Sequence, residues 1–221
     1  MAIIWLQHNR IRLALHQLRD GDGPSLLLLH ALGERSPSAV PAWADAWSGA
    51  IHGLDFTGPG DSTVPIGGGY SAEILMADVD VALGHLGPST IVGRGLGAYI
   101  ALLIASGRPA LVRGVVLADG PGMAGGGVGP VSTSLFALPP VIADHHAVPD
   151  PWALIELARD ARPADYAASI VRLAFAPDTP GAPITVCARF RPPWLEAVAG
   201  EPGVAETHTI EEALTFYAKA R

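Results

Sequence analysis

The sequence predicts an α/β fold in which strands and helices alternate along one domain. Continuous apolar runs such as Ser25–His30 are typical of buried parallel strands. The segment Ser71–Gly87 places apolar residues at helical spacing, opposite a face that carries acids. The chain has 221 residues, of which 49% are hydrophobic, and this suffices for one sizeable core rather than two. We therefore expect a single domain, residues 1–221.

Each element follows from its own pattern. The start of the chain predicts an antiparallel hairpin around a His-Asn-Arg turn. Counting that hairpin, strands are expected at residues 3–8, 11–17, 25–30, 51–56, 89–94, 112–120, 182–188 and 203–208. Helices are expected at residues 39–47, 71–87, 96–106, 192–200 and 210–220. The prediction is a mostly parallel sheet of about eight strands, with helices on both faces.

The alternation stops at Pro121. Residues 120–130 are too rich in glycine to pack, and residues 135–175 predict two or three helices. An insertion of this size within an alternating fold usually forms a lid over a ligand site. We therefore expect a small helical cap at approximately residues 121–180.

Composition narrows the class of function. The 14 basic and 21 acidic residues give a net charge of −7 without a basic run, so nucleic acid is not an expected partner. Cys187 is the only cysteine, and no apolar stretch reaches the ~18 residues of a membrane helix. His145 and His146 lack further ligands at suitable spacing, so no metal is expected. We expect a cytoplasmic protein without a cofactor that binds a small molecule; the oligomeric state is not indicated.

Three motifs follow successive predicted strands. His-Ala-Leu-Gly begins at His30, Asp-Phe-Thr-Gly-Pro-Gly-Asp-Ser begins at Asp55, and Gly-Arg-Gly-Leu-Gly begins at Gly93. With these motifs the chain resembles the α/β-hydrolase superfamily, in the branch with a helical cap. The corresponding motifs of that family are the His-Gly oxyanion segment, the Asp-x-x-Gly-x-Gly-x-Ser loop and the Gly-x-Ser-x-Gly nucleophile elbow.

The resemblance implies roles for five residues. Gly95 stands where the family has its nucleophilic serine, and the backbone N–H groups of Leu32 and Leu96 match the two oxyanion donors. The family's histidine corresponds to His208. The usual place of the acid reads Ala-Arg-Phe-Arg here, so the acid is expected at Asp119, after the sixth strand, as in some members.

Two further residues are expected around the pocket. The resemblance implies that His30 supports the oxyanion segment through hydrogen bonds. Arg94 precedes the elbow glycine and is expected at the pocket mouth, where a contact with an anion and a solvated side chain both remain open.

These residues lead to a principal hypothesis and one alternative within the same fold. Without a serine oxygen no acyl-enzyme forms at the elbow. The principal hypothesis is a catalytically degenerate protein that binds a small, mostly apolar ligand, with a carbonyl or carboxylate near Leu32, Gly95 and Leu96. The alternative is an active hydrolase of a small ester or amide. In that case either the serine has been replaced in this particular chain, or water activated by His208 and Asp119 attacks through the space that the serine vacates.

A second alternative interprets the same segment as a dinucleotide site. Gly93-x-Gly95-x-x-Ala98, between a strand and a helix, fits the fingerprint G-x-G-x-x-G/A. Asp119 lies 21 residues past Ala98, where the ribose-binding acid belongs. The fingerprint normally opens its fold, whereas a hairpin, two strands and two helices precede it here. This context favours the hydrolase scaffold.

Overall fold

The computed structural model describes residues 2–126, 150–175 and 183–219. Its strands are β1 (Ala2–His8), β2 (Ile11–Leu29), β3 (Gly49–Asp55), β4 (Ser89–Arg94), β5 (Val112–Ala118), β6 (Ile184–Cys187) and β7 (Val204–Glu206). Its helices are α1 (Ala72–Leu86), α2 (Leu96–Gly107), α3 (Pro151–Leu157), α4 (Ala164–Ala174), α5 (Pro193–Ala199) and α6 (Ile210–Lys219). Of the predicted cap, residues 127–149 and 176–180 lie outside the described residues. Residues 121–126 and 150–175 of that region are described, and they include α3 and α4.

The strand β2 merges two strands that the sequence predicts separately. Its first half pairs with β3 in antiparallel register, from Ala14 opposite Asp55 to Gln17 opposite His52. Its second half, Leu26–Leu29, pairs with β3 with residue numbers that rise along both strands, as in a parallel pair. The residues between the two halves, Asp20–Pro24, form extended backbone with register shifts, where the sequence predicts a break between two strands. The described residues therefore form seven strands, and the prediction of eight is corrected.

The remaining strands extend the sheet in parallel. β1 pairs antiparallel with β2, which confirms the predicted hairpin, and β4, β5, β6 and β7 then follow β2 in spatial order. Parallel strands place their carboxyl ends at one edge of the sheet. The turns after β4, β5, β6 and β7 therefore share the edge where the sequence predicts the site.

Helices cover both faces of the sheet. α1, α2, α4 and α5 pack on one face over a large apolar cluster, and α6 packs on the other face. The hydroxyl of Tyr217 anchors α6, because it lies 2.5 Å from Thr185 Oγ1 and donates to the Val115 carbonyl at 3.2 Å. The mostly parallel sheet, the helices on both faces and the merged β2 that flanks β3 are the α/β-hydrolase fold predicted from the sequence.

The predicted helix at residues 39–47 is wrong. The structure contains only the 3-10 turn Ala42–Ala44 between β2 and β3. Proline lacks a backbone N–H and disfavours helical backbone in the residue before it. Pro37 and Pro41 both lie in this connection, and Pro41 directly precedes the turn.

None of the described helices is long and apolar enough to cross a bilayer.

Candidate functional site

The elbow is a sharp strand-to-helix turn built from three glycines. Gly95 joins β4 to α2 with φ 55° and ψ −114°, a conformation that side chains disfavour. A β-carbon on Gly93 would lie 2.7 Å from the backbone nitrogen of Ala98, and one on Gly97 would lie 2.6 Å from the carbonyl oxygen of Leu29. Because other backbone atoms lie so close to positions 93 and 97, a side chain fits at neither, and both positions require glycine.

The two predicted oxyanion donors converge on a single oxygen atom. The N–H of Leu32 donates to the carbonyl oxygen of Pro121 at 3.1 Å, and the N–H of Leu96 donates to the same oxygen at 3.0 Å. Two N–H groups at this range of one oxygen are the geometry that stabilises a developing oxyanion. Here the chain's own carbonyl fills the donor pair.

The same segment takes up the space beside Gly95. A β-carbon at this position would lie 2.6 Å from the carbonyl carbon of Gly120 and nearer still to the Pro121 oxygen. The void that adjoins Leu32 and Leu96 measures only about 10 Å³. That volume is at the lower limit for a single water molecule. The room that a vacated serine would leave for an attacking water is thus occupied by backbone.

Buried side chains hold this segment in place. Nη1 of Arg162 donates to the carbonyl oxygens of Gly122 and Met123, at 2.6 and 3.0 Å. Nε1 of Trp194 donates to Met123 at 2.8 Å, and the Arg162 guanidinium lies 4.5 Å from the centre of the Tyr99 ring. Arg162 is buried, and this burial lowers its pKa. We call Gly120–Met123, with its contacts to Arg162 and Trp194, the plug segment.

The sequence interpretation missed the plug segment. It treats the glycine-rich stretch from Pro121 onward as the start of a cap loop, and it gives Arg162 no role. A signal is present in retrospect, since a Gly-Pro-Gly sequence begins two residues after the end of β5, at the edge where the elbow lies. Nothing in the sequence indicates which N–H groups the Pro121 carbonyl meets.

The predicted acid and histidine lie at the expected edge but have other partners. The carboxylate of Asp119 accepts hydrogen bonds from the N–H groups of Arg189 and Phe190, at 2.7 and 3.1 Å, and braces the turn after β6. His208 is exposed, and its backbone N–H donates to the Glu212 carboxylate at 3.0 Å. Among the described residues no hydrogen bond joins Asp119 to His208.

The Glu212 contact belongs to a capping box at the start of α6. The N–H of Glu212 donates to Thr209 Oγ1 at 3.2 Å, and the Glu212 carboxylate accepts from the N–H of Thr209 at 3.4 Å. The backbone at His208 therefore takes part in helix capping.

The ring of His30 makes two hydrogen bonds, one of them to the segment that carries Leu32. Its Nε2 accepts a hydrogen bond from the N–H of Phe56 at 3.2 Å, so the proton resides on Nδ1, which donates to the Ala31 carbonyl at 2.9 Å. Burial lowers the pKa of His30, which keeps the ring neutral. His30 thus joins the ends of β2 and β3 and uses both ring nitrogens to do so.

Arg94 makes an ion pair at the surface of this edge. Its Nη1 lies 2.7 Å from Oε2 of Glu34, and its side chain is 41% exposed. The same Glu34 oxygen accepts from the N–H of Ala31 at 3.4 Å. The pair therefore connects the elbow to the segment that carries the Leu32 donor.

The Asp55 motif locks the loop that follows β3. Asp55 is buried, which would raise its pKa, but hydrogen bonds from the N–H groups of Asp61 and Ser36 and from His16 outweigh this and lower the pKa. In the described part of the chain, His16, Asp55 and Asp61 are the group whose potential metal-ligand atoms come within 4.8 Å of one another. His16 Nε2 is already paired with Asp55 Oδ2 at 2.8 Å. The hydrogen bonds of the loop account for this cluster.

Solved structures similar to this chain include three α/β-hydrolase-fold proteins. VinJ is 24% identical over 53% of this chain and 43% of its own, with a TM-score of 0.46. An epoxide hydrolase from Vigna radiata is 20% identical over 54% and 40%, also at 0.46. Alpha/beta hydrolase domain-containing protein 10 from mouse is 21% identical over 53% and 49%, at 0.47. This chain matches less than half the length of each.

Neither protein-family models nor curated proteins match the sequence. The class of protein is therefore defined by the structure itself. The strand order, the elbow after β4 and the convergent N–H groups of Leu32 and Leu96 describe an α/β-hydrolase fold.

Proposed function

We propose that this protein uses the α/β-hydrolase fold to bind, without acyl transfer, a small apolar ligand that bears a carbonyl or carboxylate. The observation that carries the proposal is the convergence of the Leu32 and Leu96 N–H groups on one carbonyl oxygen, that of Pro121. This internal carbonyl has the chemistry that the donor pair selects. A ligand oxygen of the same kind replaces it when the plug segment moves aside.

The lack of acyl transfer follows from the same geometry. Gly95 supplies no nucleophile, and the plug segment fills the space where a serine side chain would stand. Asp119, which the hydrolytic alternative needs as the partner of His208, binds the turn after β6, and no hydrogen bond joins the two side chains among the described residues. These contacts support the binding hypothesis over direct attack by water.

The dinucleotide alternative has less support. A pyrophosphate would need the free N–H groups at the N-terminus of α2. The first of these, from Leu96, donates to Pro121, and Asp119 faces the turn after β6. The strand order is also that of the hydrolase fold.

The test measures turnover and binding on one sample. Hydrolysis of p-nitrophenyl acetate and butyrate is followed first, and we expect no rate above that of buffer. Heptanoate and 2-heptanone are then titrated while the backbone amide signals of Leu32 and Leu96 are followed by nuclear magnetic resonance. We expect both amides to shift with saturation, because a ligand oxygen exchanges for the Pro121 oxygen.

A variant of the plug segment sharpens this test. Trp194→Phe removes the hydrogen bond to Met123 while it keeps an aromatic ring, so the plug segment is displaced more easily and the ligand binds several-fold more tightly. Trp5→Phe, at an exposed site on β1, is the matched control. Ester turnover that disappears in His208→Ala would establish the hydrolase instead. Amides that do not shift with either ligand would refute the binding site.

A further inference from the structure

We infer that a second, preformed site for a small aryl carboxylate lies on the opposite face of the sheet from the plug segment. A cavity of about 210 Å³ opens there beside the carboxyl ends of β2 and β4. Leu28 and Val92 form its floor, and both belong to the apolar cluster on the α6 side of the sheet. This inference does not depend on the proposed function.

The connection between β2 and β3 explains why the cavity exists. A crossover between parallel-paired strands usually packs a helix against the sheet. Here the crossover contains only one 3-10 turn, Ala42–Ala44, and Pro37, Pro41 and Trp43 of this connection line the cavity. The gap that a helix would fill is left open between these side chains and the floor.

The size and the walls of the cavity favour an aromatic ring. An apolar cavity of ~150 Å³ is known to take up benzene. A cavity of about 210 Å³ therefore accommodates a ring with one polar substituent. The walls consist of Trp43, Pro37 and Pro41, whose flat or rigid surfaces suit a planar ligand.

The rim of the cavity favours a carboxylate on that ring. Arg35 and Arg94 both line the cavity, against a single acid, Glu34. Arg35 is exposed and has no hydrogen-bond partner among the described residues, and Arg94 bonds to Glu34 through Nη1 alone. Guanidinium groups bind carboxylates through paired N–H donors. His30 adds no competing polar group, because both of its ring nitrogens are already bonded.

The positive rim stands out against the rest of the molecule. The whole chain carries a net charge of −7, whereas the rim has one positive charge in excess. An anionic aryl ligand is therefore favoured over the matching neutral amide. A cationic ligand would face two arginines and is disfavoured.

Isothermal titration with phenylacetate and phenylacetamide tests this site, and nuclear magnetic resonance locates the ligand. We expect phenylacetate to bind at least tenfold more tightly than phenylacetamide, with shifts at the Val92 amide and the Trp43 indole. Arg35→Met and Arg94→Met should each weaken phenylacetate about tenfold. Arg10→Met, at the exposed hairpin turn, is the matched control and should leave binding unchanged.

The outcomes separate this site from the donor pair of the proposed function. Equal affinity for phenylacetate and phenylacetamide, or affinity that survives both arginine substitutions, would overturn the carboxylate site. Shifts confined to Leu32 and Leu96 would also overturn it, while they support the proposed function. Signal shifts at Val92 and Trp43, without shifts at Leu32 and Leu96, would establish this site independently of the proposed function.

Discussion

The carbonyl oxygen of Pro121 lies 3.0 Å from the backbone nitrogen of Leu96, on the donor that an α/β-hydrolase uses for its reaction intermediate. This contact and the glycine at position 95 depend on each other. A β-carbon there would lie too close to the Gly120 and Pro121 backbone for the plug segment to keep its position. A side chain at the elbow and the filled donor pair therefore exclude one another in this structure.

We predict that Gly95→Ser produces no esterase and destabilises the fold. The positive φ of 55° and the overlap with Gly120 and Pro121 should together lower the free energy of unfolding by about 2 to 5 kcal/mol. Urea denaturation measures this loss, and p-nitrophenyl butyrate reports turnover. A serine variant of unchanged stability that gains turnover would show that the plug segment yields readily.

Gly84→Ala is the matched control for that substitution. Gly84 is an exposed residue in the interior of α1, and an added β-carbon meets no atom within 4 Å. Alanine suits a helix better than glycine, so this variant should gain about 0.5 to 1 kcal/mol. A gain of stability at position 84 together with a loss at position 95 would show that the loss comes from local strain and not from replacing a glycine in general.

We predict that Arg162→Met loosens the plug segment. The substitution leaves the Gly122 and Met123 carbonyls without their charged donor and should cost about 3 kcal/mol of unfolding free energy. Hydrogen exchange at the Leu32 and Leu96 amides should also accelerate more than exchange in the sheet. Arg172→Met, which breaks an exposed pair with Glu201, is the control and should change little. Loss of stability with unchanged exchange at both amides would contradict the role given to Arg162.

We predict that His30 makes the fold less stable as the pH falls below 6.5. Burial lowers the pKa of His30 in the folded state, so protons bind preferentially to the unfolded chain between that pKa and 6.5. The contribution of His30 to the free energy of unfolding is fully present above pH 6.5. It declines as the pH falls, by at most about 1.4 kcal/mol per pH unit.

The difference between the parent protein and His30→Gln isolates this contribution. Denaturation curves from pH 7.5 to 5 should converge for the two proteins as the pH falls. His52, whose pKa burial also lowers, is tested separately with His52→Gln. A constant difference between parent and His30→Gln across this range would show that His30 is not held neutral.

We predict that Tyr217→Phe costs about 1 to 2 kcal/mol. The substitution removes the buried hydroxyl that joins α6 to Thr185 and to the Val115 carbonyl. Tyr166→Phe, on a side chain that is 52% exposed, is the control and should stay within about 0.5 kcal/mol of the parent. Thermal denaturation compares the two variants, and equal effects would mean that the Tyr217 hydroxyl contributes no net stability.

Local patterns in the sequence were sufficient for the fold class. Apolar runs and helical periodicity predict the alternating elements, and the glycines at 93, 95 and 97 predict the elbow, because each pattern lies within one short segment. The strand count failed where Asp20–Pro24 adopted extended backbone. The turn residues there are equally compatible with a bend inside one strand, and pairing with β3 decides between the two.

The sequence by itself determined that position 95 has no side chain, and the resemblance of its motifs predicts that Leu32 and Leu96 carry the donor pair, because each motif lies within one short segment. Only the tertiary structure decided what the pair binds. Pro121 meets Leu32 across 89 positions of the chain, and Arg162 lies a further 41 positions along. Such contacts depend on how the sheet brings distant turns to one edge, and a backbone carbonyl is present in every residue. Residue identity therefore carries no signal for the carbonyl that fills the site.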